Sequence, residues 1–125
     1  MQRLDQEYVG SLKRNQVLAL DIAEHTGVFG TYFQGTVYFP ANDSKDAKKY
    51  GSDYDQHQRF GNWLKKTIVD NEYKVVAVED LNVSKNFMAV KKLAEMRGIL
   101  LFICAELNVP VVFFNVRSIK KWATG

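Results

Sequence analysis

The chain has 125 residues, a length that fits one domain with one sizeable core, and hydrophobic residues make up 46% of it and aromatics 13%. Its net charge of +3 and sequence pI near 9.0 allow a polyanionic partner without requiring one, and a charged fraction of 25% is ordinary for a globular domain. No apolar run approaches the roughly 20 residues of a membrane span, and Met1 to Arg14 is too polar for a secretory signal. The single cysteine, Cys104, rules out a disulfide within the chain and fits a reducing, cytoplasmic setting. It lies in the apolar stretch 99–105, where a free cysteine acts as inert core.

Residues 1–15 form a polar lead with a Gly10-Ser11 break, and 16–125 form the domain proper. Gln16 to Ile22, reading Gln-Val-Leu-Ala-Leu-Asp-Ile, predicts a first strand ending at Asp21. A turn carrying Thr26 and Gly27 follows, then strands over Val28 to Gln34 and Thr36 to Phe39, with Gly35 between them and Pro40 as a stop. Asn42 to Asp55, dense in Asp, Ser, Lys and Gly, reads as an exposed loop. Phe60, Leu64 and Ile68 recur every fourth residue and predict a helix over Gln56–Asn71.

The apolar run Lys74 to Val78 predicts a fourth strand, buried on both faces and ending in the acids Glu79 and Asp80. A long helix is expected over Phe87 to Leu107, with Val90, Leu93, Ala94, Gly98, Leu101, Phe102 and Ala105 on its buried stripe. Gly98 costs roughly 1 kcal/mol of helix propensity against Ala, which a close helix–sheet contact would explain. Val111 to Phe114 is a fifth strand, and Ser118 starts a last helix as its N-cap.

The resulting order, β-β-β-α-β-α-β-α, predicts an α/β fold. Its mixed five-stranded sheet has helices on both faces and strand one beside strand four. Asp21 and Glu79 then fall at the C-terminal ends of adjacent central strands, where open α/β sheets place their ligands. Two carboxylates so close repel unless a cation lies between them, and Mg²⁺ held by one or two carboxylates plus phosphate and water is the usual solution. Asp80 points to the opposite face of the strand and reads as a solvent or turn residue. His25 reads as an ordinary surface residue. Lys85 and Lys120 flank the edge that carries Glu79, where a phosphate backbone would lie, within a late cluster that also holds Lys91, Lys92, Arg97, Arg117 and Lys121.

Val78-Glu79-Asp80, Ser84-Lys85-Asn86, Lys92-Leu93, Arg97-Gly98, Pro110 and Ile119-Lys120…Gly125 together resemble the RuvC family of Holliday junction resolvases, bacterial and phage nucleases of RNase H-like fold. The resemblance runs without an evident gap from Glu79 to Gly125. Asp21 followed by Thr26-Gly27 is similar to the family's first motif. It implies a homodimeric, Mg²⁺-dependent endonuclease, with Mn²⁺ as a substitute and no small-molecule cofactor, that cuts four-way DNA junctions by paired nicks. Asp21 and Glu79 would match the first two metal-binding carboxylates. Lys120 would match a basic residue beside the scissile backbone, and Lys85, Asn86, Lys92, Arg97, Lys120 and Lys121 would contact nucleic acid.

Three features depart from the family's pattern. Ile22-Ala23 stands where a Pro-Gly or similar pair usually follows the first Asp. Asn82 stands where an aromatic helps to open the junction. The family's last acidic or His ligands lie on a helix beyond Gly125, so the expectation is a chain truncated in its last helix, with weak metal binding and little or no cleavage. Two other readings share the same residues: a non-catalytic nucleic-acid-binding module on this fold, and an actin-like ATP-binding domain, whose phosphate loop is richer in Gly and whose fold needs a second, duplicate domain.

Overall fold

A computed structural model describes residues 16–30, 33–41, 49, 53–80 and 87–114. Its strands are β1 (Val17–Asp21), β2 (His25–Phe29), β3 (Gln34–Tyr38), β4 (Val75–Glu79) and β5 (Val111–Phe114). Its two long helices are α1 (Tyr54–Asn71) and α2 (Phe87–Glu106). The strands form one mixed sheet in the order β3-β2-β1-β4-β5. β1 pairs antiparallel with β2 and parallel with β4, and β5 is parallel to β4. The sheet order matches the expected one, with β1 central beside β4. The expected last helix from Ser118 and the 1–15 lead lie outside the described residues.

Val17, Leu18, Ala19 and Leu20 are all at most 1% exposed, as a Val- and Leu-rich strand in the middle of a sheet demands. Their alternation divides the core in two. Leu18, Leu20, Val28, Val76 and Val78 pack with Phe60, Leu64 and Ile68 of α1 and Met96, Leu100, Ile103 and Cys104 of α2. Val17, Ala19, Val75 and Ala77 form a smaller cluster on the other face, with Phe29, Val112 and Phe114 against it. Both described helices therefore cover the same face of the sheet.

α1 starts two residues earlier than its apolar spacing suggested, at Tyr54. Its end is built by Glu72, whose backbone is left-handed at φ 55° and whose N–H returns to Ile68 and Val69 carbonyls. Phe39, just past β3, is buried against Phe60 and Trp63 at ring separations of 5.4 and 5.5 Å. Its carbonyl accepts a hydrogen bond of 2.7 Å from the Gln56 side chain, which fixes the end of the meander to α1.

Three sequence expectations need correction. The β2 and β3 strands begin earlier than proposed, so Thr26 and Gly27 lie within β2 rather than in the preceding turn. The cause is a short turn closed from within: the Thr26 hydroxyl donates to the Ala23 carbonyl at 2.6 Å and accepts from the Ala23 N–H at 3.3 Å. The buried stripe of α2 is also different. Met96, Leu100, Ile103 and Cys104 face the core, whereas Phe102 is 64% exposed and Ala94, Gly98 and Ala105 are exposed. Because the second half of α2 is apolar nearly all round, periodicity could not choose its face. Packing against α1 and the sheet selects it, and charged residues on the first half pair with α1 and the residue before it. Finally, apart from its chain neighbours and the backbone of its own helix, no atom of the described residues lies within 4 Å of where a Cβ on Gly98 would stand, so close helix–sheet packing does not explain that glycine. The close approach is at Gly61 of α1, where a Cβ would meet Ile99 and Ile103 of α2 at 3.3 Å.

Candidate active-site cleft

The C-terminal edge of β1 and β4 opens into a cleft of about 320 Å³. Its lining combines Asp21, Ile22, Ala23 and Glu24 from the end of β1 with Val78, Glu79 and Asp80 from the end of β4. Lys92, Leu93, Met96 and Arg97 of α2 close the opposite side. Asp21 and Glu79 are thus brought together as the sequence predicted.

The register explains why. Leu20 pairs with Val78 across the parallel β1–β4 ladder, so Asp21 and Glu79 are the next residues on adjacent strands. Strand side chains alternate, and Leu20 and Val78 point to the helices, so Asp21 and Glu79 share the face of Ala19 and Ala77. Asp21 is exposed and Glu79 half-buried. On the β2 side Asp21 pairs with Gly27, and on the β5 side Glu79 pairs with Phe114. A row across this face therefore reads Gly27, Asp21, Glu79, Phe114.

The cleft's basic residues are each held by an acid from another element. Arg97 donates to Asp80 at 3.2 Å, and its guanidinium carbon lies 3.9 Å from the Phe113 ring centroid. Lys92 lies 3.5 Å from the carboxylate of Asp53, the residue before α1, which makes no side-chain cap of its own helix. One turn further along both helices, His57 of α1 lies 3.2 Å from Glu95 of α2. These pairs accompany the rotation of α2 that buries Met96, Leu100, Ile103 and Cys104.

Asp80 is therefore more than a solvent residue: it is the partner of Arg97, and its backbone N–H donates to Phe114 at 2.9 Å. Sequence reading also missed Asp53, Phe113 and the cleft-lining Glu24. The Asp80–Arg97 pair spans 17 positions and two elements, so no local spacing announces it. Lys85, Asn86, Lys120 and Lys121, expected to contact nucleic acid, lie outside the described residues. Cys104 is buried in the core, and burial pushes its thiol up to about 12, which keeps it inert as expected.

Asp21 and Glu79 offer hard carboxylate oxygens at one edge, a donor set suited to Mg²⁺ or Mn²⁺ rather than to a thiolate- or imidazole-seeking metal. Among the described residues no group of three or more His, Cys, Asp or Glu is poised to hold an ion. Among the described residues, no helix is long and apolar enough to cross a membrane.

The family model described as Crossover junction endodeoxyribonuclease RuvC matches residues 52–125, more than half of the chain. A curated protein of the same description, from Pseudothermotoga lettingae, is 36% identical over 59 residues. That match covers 46% of this chain and 36% of the relative's length. A solved structure described as T. thermophilus RuvC in complex with Holliday junction substrate superposes with a TM-score of 0.61 at 18% identity, covering 84% of this chain and 66% of that one. A second, described as Thermus thermophilus RuvC, gives 0.56 at 17% identity, over 79% of this chain and 63% of its own. At these identities the two structures speak for the fold, which is RNase H-like. With its family model matched over more than half of the sequence, the chain belongs to the RuvC family of crossover junction endodeoxyribonucleases.

Proposed function

We propose that this chain acts on four-way DNA junctions as a divalent-metal-dependent phosphodiesterase, with Asp21 and Glu79 holding the cation. The observation that carries the reading is their placement as register neighbours at the C-terminal ends of adjacent parallel strands, inside a cleft that also gathers Lys92 and Arg97. The cation, when bound, would activate water and offset charge on the transferring phosphate. The protein's own contribution is geometric and electrostatic. The β1–β4 ladder fixes the two carboxylates on the face away from the helices, and Lys92 and Arg97 of α2 flank the same sheet edge from the helix side. The Phe113 ring and the Asp80 carboxylate hold the Arg97 fork in place, so less side-chain freedom is lost when it meets a phosphate.

Junction DNA is the substrate class favoured by family membership and by the likeness to a RuvC described in complex with a Holliday junction substrate. Paired nicking would be performed by a homodimer, in the cytoplasm of a bacterium or a phage-infected cell. Held by the two carboxylates Asp21 and Glu79, with water and phosphate completing its shell, the cation should bind weakly and cutting should be slow. The test is nicking of a synthetic four-way junction in Mg²⁺ or Mn²⁺ by the wild type and Asp21→Asn. Slow nicking above the Asp21→Asn background, with junction preferred to linear duplex, supports the reading; identical traces for the two proteins would sink it.

The cations Lys92 and Arg97 at the same edge also favour a second reading, a non-catalytic junction-binding module. Tight, salt-sensitive junction binding with no metal-dependent nicking would select it.

A further inference from the structure

The β2–β3 hairpin carries aromatic rings that the cleft chemistry does not use. His25 and Tyr38 form a cross-strand pair, and their rings stack at a centroid separation of 4.5 Å and an interplanar angle of 19°. Both are exposed, Tyr38 at 55%, so the pair presents a broad aromatic surface outward. Phe33, at the other end of the hairpin, is also 48% exposed, but it flanks Gly35 far from the cleft.

The position of the pair matters more than its exposure. β2 runs antiparallel to β1, so its first residue, His25, lies at the same sheet edge as Asp21, the last residue of β1. β3 reverses again, which brings its last residue, Tyr38, to that edge too. The sheet face is also shared. Thr26 and Val28 are buried, with Val28 packed among the residues that face the helices, so His25 and Gly27 point the other way, as do Asp21 and Glu79. Gly27 lies directly beside Asp21, and His25 is two residues further out on the same strand. Strand spacing and rise place the His25 backbone roughly 8 Å from that of Asp21. That is within the reach of a few nucleotides at a rise of ~3.4 Å each. Glycine at position 27 leaves no side chain between the carboxylates and the rings.

We infer that His25 and Tyr38 form a stacking step that receives an unpaired nucleobase of the DNA strand whose phosphate lies at Asp21 and Glu79. The inference rests on the nucleic-acid reading of the cleft and adds a base-binding subsite to it. Within a duplex both faces of a base are covered by its neighbours, so an exposed protein ring can engage only a base released from the stack. A branch point or a single strand supplies one. Stacking accepts every base, because each has a π-face, so the step selects for unpaired structure and not for sequence.

The experiment measures binding of the 125-residue chain, with Ca²⁺ in place of Mg²⁺ so that a cation is present but cutting is suppressed, to three labelled probes: a four-way junction, a single strand and a linear duplex. A second set of junctions carries 2-aminopurine at the branch point, whose fluorescence reports stacking. Tyr38→Ala should weaken junction and single-strand binding about tenfold, the loss of one base–aromatic stack, and leave duplex binding unchanged. It should also remove the 2-aminopurine quench, while Tyr38→Phe, which keeps the ring, preserves both. Thermal melting verifies that each variant is folded. If wild type binds the junction but Tyr38→Ala binds it equally well with the quench intact, the step is overturned and the nuclease reading stands. A Tyr38→Ala effect of equal size on duplex, or a change in oligomeric state in place of affinity, also overturns it. If wild type binds none of the three probes, both readings fall.

Discussion

Gly27 and Asp21 face each other across the β1–β2 ladder so closely that a Cβ on Gly27 would stand 3.3 Å from the Cβ of Asp21. The glycine is thus part of the cleft's geometry, keeping one flank of the carboxylate open. A branched side chain here must push Asp21 or itself aside. Gly27→Val should lower Mn²⁺ affinity and nicking together, by tenfold or more. Its melting temperature should fall only modestly, since valine's preference for a strand partly offsets the crowding at Asp21. Calorimetric Mn²⁺ titration beside a thermal melt checks this.

Arg97 is held between an exposed carboxylate and an aromatic ring, so its substitution should affect binding more than folding. An ion pair to an acid as exposed as Asp80 contributes at most about 1 kcal/mol, and the Phe113 contact about 0.5–1 kcal/mol. Arg97→Ala should weaken junction and duplex binding alike and reduce the salt dependence of binding by about one phosphate contact. Arg97→Lys should recover little, because an ammonium cannot reproduce the planar stack and fork. Binding isotherms across a salt series measure both. An unchanged slope for Arg97→Ala would remove Arg97 from the DNA contact.

Legibility in the sequence depends on where each signal lies. Strands β1 and β4 announce themselves because both faces are buried, so their residues are continuously apolar up to Asp21 and Glu79. The order of elements then forces those acids together. Strand β2 was misplaced because its start depends on the Thr26 hydroxyl closing a turn, a contact that hydrophobic pattern does not encode. The face of α2 was misread because an apolar helix offers no contrast; packing on residues of α1 and the sheet decides it, more than thirty positions away in sequence for Phe60 and Leu64. For the same reason Asp80 looked dispensable: its partner Arg97 is on a different element.

Cys104 gives a pH signature with a definite sign. Burial raises its thiol from the ordinary 9.0 to about 12, so between those values the unfolded chain ionises while the fold keeps the proton. The unfolded state then binds fewer protons, and the contribution, present in full below pH 9, is lost as pH rises toward 12. Comparing wild type with Cys104→Ala in denaturant melts from pH 8 upward isolates it: the wild type should lose more stability. At pH 8 the native thiol should resist alkylation and react on unfolding. Rapid native labelling would contradict its burial.

The α1–α2 contact is a tight helix seam, closing on Gly61 over Ile99 and Ile103. Gly61→Leu overpacks it and should cost about 1–3 kcal/mol. Leu100→Ala, at a fully buried position, should cost about 2–5 kcal/mol through its cavity. Gly98→Ala, with open space around it, should instead stabilise α2 by up to about 1 kcal/mol. Urea melts of the three variants rank them.

The central claim is that Asp21 and Glu79 share one cation, and a double-mutant cycle on Mn²⁺ binding tests it most directly. Binding is titrated in the presence of four-way junction DNA for wild type, Asp21→Asn, Glu79→Gln and the double variant. Shared coordination predicts a drop of at least tenfold for each single change and little further loss in the double, since the first change already dismantles the site. Full additivity, or wild-type affinity in either single variant, would contradict a common metal site at the ends of β1 and β4.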